Sequence, residues 1–196
     1  MDFITKIDFD ILNSIIKYLK CSFLDAVMPL ITALGDHGIF PISVAVVLLI
    51  IAKTRRIGLS MAFSYIYGGL FGNLILKNLI ARVRPYDPSY VDSIIGEGEL
   101  LISGLSDFSF PSGHTLIIFE FAVVLLICLK GKYKPISIIA MITAFLVAFS
   151  RLYLYVHFPS DVLAGMILGT LFGILGVKTA NALITLIINK LDKKKG

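Results

Sequence analysis

Long apolar stretches separated by short polar turns occupy most of this 196-residue chain, at about 23–34, 39–52, 57–80, 115–129, 135–156 and 162–189. With 57% hydrophobic residues, 16% charged residues and a mean hydropathy of +0.91, the chain lacks the polar surface that a soluble domain of this length needs. The length suits one compact helical bundle in a membrane, with no room for an added soluble domain. The expectation is an all-α integral membrane protein of two parts. Residues 1–22 form an amphipathic interfacial helix, and residues 23–196 form six transmembrane helices in one bundle.

The N-terminal segment carries Ile4, Ile7, Ile11, Ile15 and Leu19 at helical spacing, with Lys6, Asp8, Asp10, Lys17 and Lys20 mostly off that stripe. Such a helix lies in the interface and does not span. The opening residues lack the basic region of a cleaved signal peptide, so the first segments are expected to stay in the mature protein. Three of the six stretches are short against the ~20 residues needed to cross ~30 Å of hydrocarbon. They must borrow flanking residues or thin the bilayer locally, and the first two could instead form a re-entrant hairpin.

Basic residues cluster at Lys53–Arg56, at Lys130–Lys134, and at Lys190 with Lys193–Lys195. With six spans all three clusters share one side, assigned to the cytoplasm together with both termini. This distribution is membrane topology and not a nucleic-acid footprint, although the net charge is +5. The Gly35–Gly38 turn, the long 85–110 connection and the 157–161 corner then fall on the outer face. Arg82 and Arg84 lie there against the charge rule, which suits anion binding. Cys21 and Cys128, the only cysteines, map to the inner ends of spans and read as two separate thiols. No dinucleotide fingerprint, phosphate-binding loop or metal-ligand spacing occurs. Gly165, Gly169 and Gly173 recur every fourth residue, a ridge that packs the last span inside the bundle or, alternatively, forms a dimer face.

Three stretches carry chemistry: Lys77-x6-Arg84-Pro85, Pro111-Ser112-Gly113-His114 and Ser150-Arg151-x5-His157-x3-Asp161. Ionisable groups at membrane depth are costly, so they point to function. On a helix Lys77 and Arg84 are two turns apart and share a face, with Pro85 stopping the helix. Ser112 and Gly113 stand at a helix start, where free N–H groups favour an anion and Ser112 can cap the helix or touch a phosphate. A carboxylate at Asp161 within reach of His157 can hold one imidazole tautomer and leave the other nitrogen free to attack. Taken singly, the first stretch could be snorkelling cations and the second an ordinary capped helix. All three in order on one membrane face make those readings poor. Glu120 inside a span stays open between a paired or protonated group and a catalytic one. Asp36 and His37 stay open between a polar turn and a head-group contact, and Asp25 is placed near the inner interface.

Together these stretches resemble the signature of the type 2 phosphatidic acid phosphatases, the superfamily shared with vanadium haloperoxidases and glucose-6-phosphatase. The resemblance runs from Lys77 to Asp161, and the six-span core of the membrane branch would cover almost the whole chain. It implies a membrane phosphatase in which Lys77, Arg84, Arg151, Ser112 and the Gly113 N–H hold the phosphate. His157 would be the nucleophile that becomes a phosphohistidine, Asp161 would orient it, and His114 would protonate the leaving oxygen and later activate water. No metal or other cofactor is implied, because three fixed cations supply the charge. The implied partners are membrane lipids and a lipid phosphate substrate: undecaprenyl pyrophosphate, phosphatidylglycerophosphate or phosphatidic acid. Glu97, Glu99 and Asp107 in the long connection would shape access for the head group. A haloperoxidase is disfavoured because that branch is soluble. The remaining alternative is a transporter or scaffold that kept the pocket without turnover, against which the intact His114, His157 and Asp161 argue.

Overall fold

The computed structural model describes residues 3–90, 92–96, 99–102 and 105–193, and no β-strand occurs among them. Glu97, Lys194 and Lys195, to which the sequence assigns head-group access and part of the last basic cluster, lie outside the described residues. Helices α1 (Phe3–Leu19), α2 (Ser22–Thr32) and α3 (Ile39–Ile50) come first. Helix α4 (Arg55–Tyr67) continues through a π-helical stretch, Gly68–Leu76, into the short α5 (Lys77–Ile80). After the long connection follow α6 (Gly113–Cys128), α7 (Lys134–Tyr153) and α8 (Pro159–Asp192).

Four helical runs are long and apolar enough to cross a membrane: Ser22–Ile50, Arg55–Ile80, Gly131–Tyr153 and Pro159–Asp192; Gly113–Cys128 is a shorter apolar helix. Six separate spans are expected from the sequence. The difference lies at the start, where the first two expected spans form a single run broken in its middle. Asp36 is extended (ψ 122°), and His37 (φ 49°) and Gly38 (φ 67°) are left-handed, so α2 and α3 are joined by a turn. Helix α2 begins beside the Tyr153 hydroxyl, which donates to Asp25 Oδ1 at 2.6 Å, and ends where Thr32 accepts from Arg151 at 2.6 Å. Both partners sit in the last turn of α7, so α2 stays at one end of the bundle. Helix α3 carries the chain toward the other end. It runs antiparallel to α4, with Tyr65 reaching the Pro41 carbonyl at 3.3 Å and Gly58 lying against Ala45 and Leu49. Asp25 and the exposed Cys21 therefore lie at the α7 C-terminal end, not at the inner end that the six-span count gives them.

Helix α1 is apolar on two faces. Ile4, Ile7, Ile11 and Leu19 are exposed, while Phe9, Leu12 and Ile16 are buried against the protein. Phe9 packs edge-on against Tyr90 and Phe158, with ring centres 5.2 and 5.1 Å apart. Tyr155 donates to Asn13 Oδ1 at 2.6 Å, and Asn13 donates to the Asp92 carbonyl at 3.0 Å. The helix is thereby fixed to the long connection and to the corner before α8.

The glycine ridge on α8 faces α6. A Cβ on Gly165 would stand 2.8 Å from the Ser112 carbonyl oxygen, and one on Gly169 would stand 2.5 Å from that of Leu116. Packing inside the bundle explains the ridge, and backbone-to-backbone approach is what small residues allow. We expect Gly169→Ala to destabilise the protein by about 1–3 kcal/mol through overpacking, because a carbonyl cannot swing aside as a flexible side chain would. Gly69→Ala, whose Cβ meets nothing within 4 Å, should unfold at the wild-type temperature. Thermal unfolding in detergent would test the pair; equal midpoints would show that the contact is not limiting.

Candidate active site

Lys77 and Arg84 are expected on one face of a helix that runs to Pro85. The helix instead stops at Ile80, and Ala81 turns left-handed (φ 46°) with its N–H on the Lys77 carbonyl at 3.0 Å. A left-handed alanine is a strained helix end. Past it, residues 81–84 have no regular structure, and Arg84 swings back to the level of Lys77. Asp107 shows that the two cations meet: one oxygen pairs with Lys77 and the other with Arg84 Nη2 at 2.6 Å. Arg84 is buried, donating from Nε to the Asp107 carbonyl at 3.0 Å and from Nη1 to that of Val156 at 2.7 Å.

The second stretch opens α6, and Gly113 lies against the Asn73 amide, which stands on the π-helical segment. Ser112 occupies the cap position without a capping side-chain bond. Its hydroxyl, fully buried, accepts from Thr115 at 3.0 Å, and its N–H donates to the Asp161 carbonyl at 3.1 Å. Accepting from Thr115 leaves the proton of this hydroxyl as a donor. His114 Nε2 contacts Asp36 Oδ1 at 2.7 Å, so the turn between α2 and α3 supplies a carboxylate to the second histidine.

The third stretch ends α7 and starts α8. Arg151 is 1% exposed, and its Nη1 donates to Thr32. Its Nε and Nη2 have no hydrogen-bond partner, and it makes no ion pair among the described residues. A buried cation left in this state is very costly without an anion. His157, also 1% exposed, has its Nε2 3.4 Å from Arg84 Nη1 and its Nδ1 3.7 Å from Asp161 Oδ2. The second distance is an ion-pair distance, longer than a hydrogen bond, because that oxygen accepts from the Phe158 N–H at 2.9 Å. Burial first, and then Arg84 and Arg151, press the His157 pKa well below its ordinary 6.5. Both effects favour the neutral imidazole over the imidazolium.

Lys77, Arg84, Gly113, His114, Arg151 and His157 all line one cavity of about 570 Å³. It opens beside Asp36 and Asp107 and reaches inward along α6 to Glu120, about two turns below His114. Glu120 is buried against Gly68, and its Oε1 has no hydrogen-bond partner among the described residues. Asn73 and the clamp role of Asp107 are not legible as site features in the sequence, which reads Asp107 only as shaping access for the head group. Asp36, open there between a polar turn and a head-group contact, is found on His114. Arg82, expected to bind an anion, spends its guanidinium on Asp8 and Asp161, both at 2.8 Å.

This arrangement can hold one tetrahedral dianion between three cations and a helix N-terminus, with an imidazole nitrogen facing it. Comparison with known proteins agrees: residues 53–184 match the PAP2 superfamily. The chain belongs to the PAP2 superfamily. An undecaprenyl-diphosphatase of Sulfolobus acidocaldarius is 34% identical over 170 residues, 85% of this chain and 76% of that protein. Among solved structures, the transmembrane PAP2-type phosphatidylglycerolphosphate phosphatase of Bacillus subtilis superposes with a TM-score of 0.72 at 31% identity, covering 94% of this chain and 89% of that one. LpxE of Aquifex aeolicus gives 0.68 at 27% identity, covering 91% and 96%. With that membership and named phosphatases as its relatives, this PAP2 chain is a membrane phosphatase.

Asp107 engages both Lys77 and Arg84. Partial burial works against its ionised form, but the two cations prevail and hold its carboxyl well below the usual carboxylate range. An incoming phosphate must displace this carboxylate. Asp107→Asn should therefore tighten vanadate inhibition by about tenfold, the equivalent of one lost charge-assisted hydrogen bond. Unchanged or weaker inhibition would show that Asp107 supports the clamp and does not compete for it.

Proposed function

We propose that the protein is a metal-independent lipid phosphatase or pyrophosphatase working through a phosphohistidine on His157. The observation that carries this reading is Arg151, fully buried, with two unpartnered guanidinium nitrogens in the same cavity as a neutral histidine. Lys77, Arg84 and Arg151 hold the phosphoryl oxygens, and the α6 N-terminus with the Gly113 N–H adds donors. His157 Nε2 attacks phosphorus while the bond from phosphorus to the lipid oxygen breaks, and His114 gives that oxygen a proton. Water then attacks the phosphohistidine, loses its proton to His114 and releases inorganic phosphate. Asp36 on His114 steadies the imidazolium through this cycle, and Asp161 steadies His157. The cations are fixed in place before the charge develops, so the chemistry needs no metal.

The substrate is the terminal phosphate of a membrane lipid. Undecaprenyl pyrophosphate is favoured by the Sulfolobus relative and phosphatidylglycerophosphate by the Bacillus structure, with phosphatidic acid a third member of the same class. The residues around the cavity mouth recognise phosphate and leave the lipid to the apolar walls. Turnover of such a panel in EDTA, on purified protein, would rank the three. His157→Ala should abolish turnover and also abolish the acid-labile label left by a radioactive phosphoryl donor. Wild-type turnover from that variant would end the covalent mechanism.

The reading places the cavity mouth outside the cell and the C-terminus in the cytoplasm. The turns at Lys53–Arg56 and Lys130–Lys134, together with Lys190 and Lys193, lie at the bundle end away from the cavity, which the positive-inside rule assigns to the cytoplasm. With Ser22–Ile50 as one crossing, α1 stays on the outer face beside the site, so the N-terminus is outside and opposite the C-terminus. An impermeant thiol reagent added to intact cells should then label native Cys21 and leave Cys128 untouched until the membrane is opened. Silence of Cys21 from outside would restore a cytoplasmic N-terminus and a sixth crossing.

A further inference from the structure

Beyond the signature residues, one ion-pair network reaches the catalytic centre from an element that no signature includes. Arg82 lies two residues before Arg84, in the irregular segment after the left-handed Ala81. Its Nη1 donates to Asp161 Oδ1 at 2.8 Å and to Ser160 Oγ at 2.7 Å. Its Nη2 donates to Asp8 Oδ2 at 2.8 Å and to Thr5 Oγ1 at 3.2 Å. Asp8 in turn accepts the Ser160 N–H on Oδ1 at 2.9 Å and the Ser160 hydroxyl on Oδ2 at 2.5 Å. The guanidinium is stacked over the Phe158 ring, 3.8 Å from its centre, so its plane is fixed as well as its hydrogen bonds. Asp8 is 3% exposed and Asp161 fully buried.

The network divides the labour between the two oxygens of Asp161. Arg82 holds Oδ1, which leaves Oδ2 turned toward the Phe158 N–H and His157 Nδ1. A carboxylate that could rotate about its last bond would present either oxygen to the imidazole and orient it poorly. We infer that Arg82, itself held by Asp8 of α1, is a positioning residue for the Asp161–His157 pair, so that the N-terminal helix is part of the catalytic apparatus. This rests on the reading of His157 as the nucleophile. Docking of α1 does not by itself require the network, since Phe9, Leu12 and Ile16 already bury that face in an apolar cluster. A docking pair would also have no reason to end on the carboxylate that faces the nucleophile.

Steady-state hydrolysis of p-nitrophenyl phosphate in detergent, with orthovanadate inhibition alongside, tests the assignment. Arg82→Ala should lower kcat by roughly 10²-fold, the cost of an angstrom-scale misplacement, while KM and the vanadate inhibition constant stay at wild-type values. Arg82→Lys should recover part of that loss by keeping one of the two ion pairs. Asp8→Asn, nearly isosteric, should lower kcat by a smaller factor, and Asp8→Asn with Arg82→Ala should be no slower than Arg82→Ala alone, because Asp8 acts through Arg82. Wild-type kcat in Arg82→Ala overturns the inference, as does a double variant in which the two losses multiply. Should Arg82→Ala not fold, wild-type kcat in Asp8→Asn overturns it equally. The His157→Ala variant is assayed beside them. If that variant is dead while Arg82→Ala is fully active, only the positioning role fails. If it turns over normally, the nucleophile reading fails first.

Discussion

A guanidinium without a counter-charge, buried at the end of an apolar bundle, is the feature around which the rest of the structure is arranged. Arg151 cannot be neutralised cheaply, and among the described residues its nitrogens find a hydrogen-bond partner only in the Thr32 hydroxyl. Desolvation of such a group costs several kcal/mol unless a compensating charge arrives. The surrounding groups avoid cancelling that charge. Arg84 is fed by backbone carbonyls, the carboxylates Asp36 and Asp107 stand at the half-exposed rim, and His157 is kept neutral. A phosphate entering this cavity meets a preorganised positive field in a medium where that field is weakly screened.

Close packing of α8 on α6 is what lets two signature stretches act together. Gly165 and Gly169 bring the helix backbones into contact, and at the top of that seam the Ser112 N–H reaches the Asp161 carbonyl. A larger residue on the ridge would separate the start of α6 from the start of α8. His114 and His157 stand on opposite sides of that seam, so their separation depends on glycines that make no contact with substrate.

The family match covers residues 53–184, yet one carboxylate on a site histidine and one on Arg82 come from before it. Asp36 belongs to the broken run between α2 and α3, and Asp8 to α1. Each reaches its target across a large sequence separation, 78 residues for Asp36 to His114 and 74 for Asp8 to Arg82. Burial of the inner face of α1 and the turn at His37 and Gly38 hold these acids in place. The segment ahead of the matched region is thus joined to the reaction centre by ion pairs as well as by apolar packing.

Composition and hydropathy alone determine a helical membrane bundle, because apolar length and turn chemistry are local properties. The three charged stretches are equally legible as the residues that meet in one cavity, since their positions in the sequence stand whatever the backbone does between. The helix that should have carried Lys77 to Arg84 is not legible: the left-handed Ala81 ends it early, and the two cations meet instead on Asp107. The number of crossings also escapes the sequence, because two apolar stretches joined by a glycine turn look the same whether they form two spans or one broken one. Arg82 looks like an anion ligand by its position. Its real partners, Asp8 and Asp161, lie 74 and 79 residues away. Local pattern fixes which groups are present and how the chain sits in lipid; which charge meets which is decided by long-range packing, where a few ångströms separate a phosphate clamp from a structural ion pair.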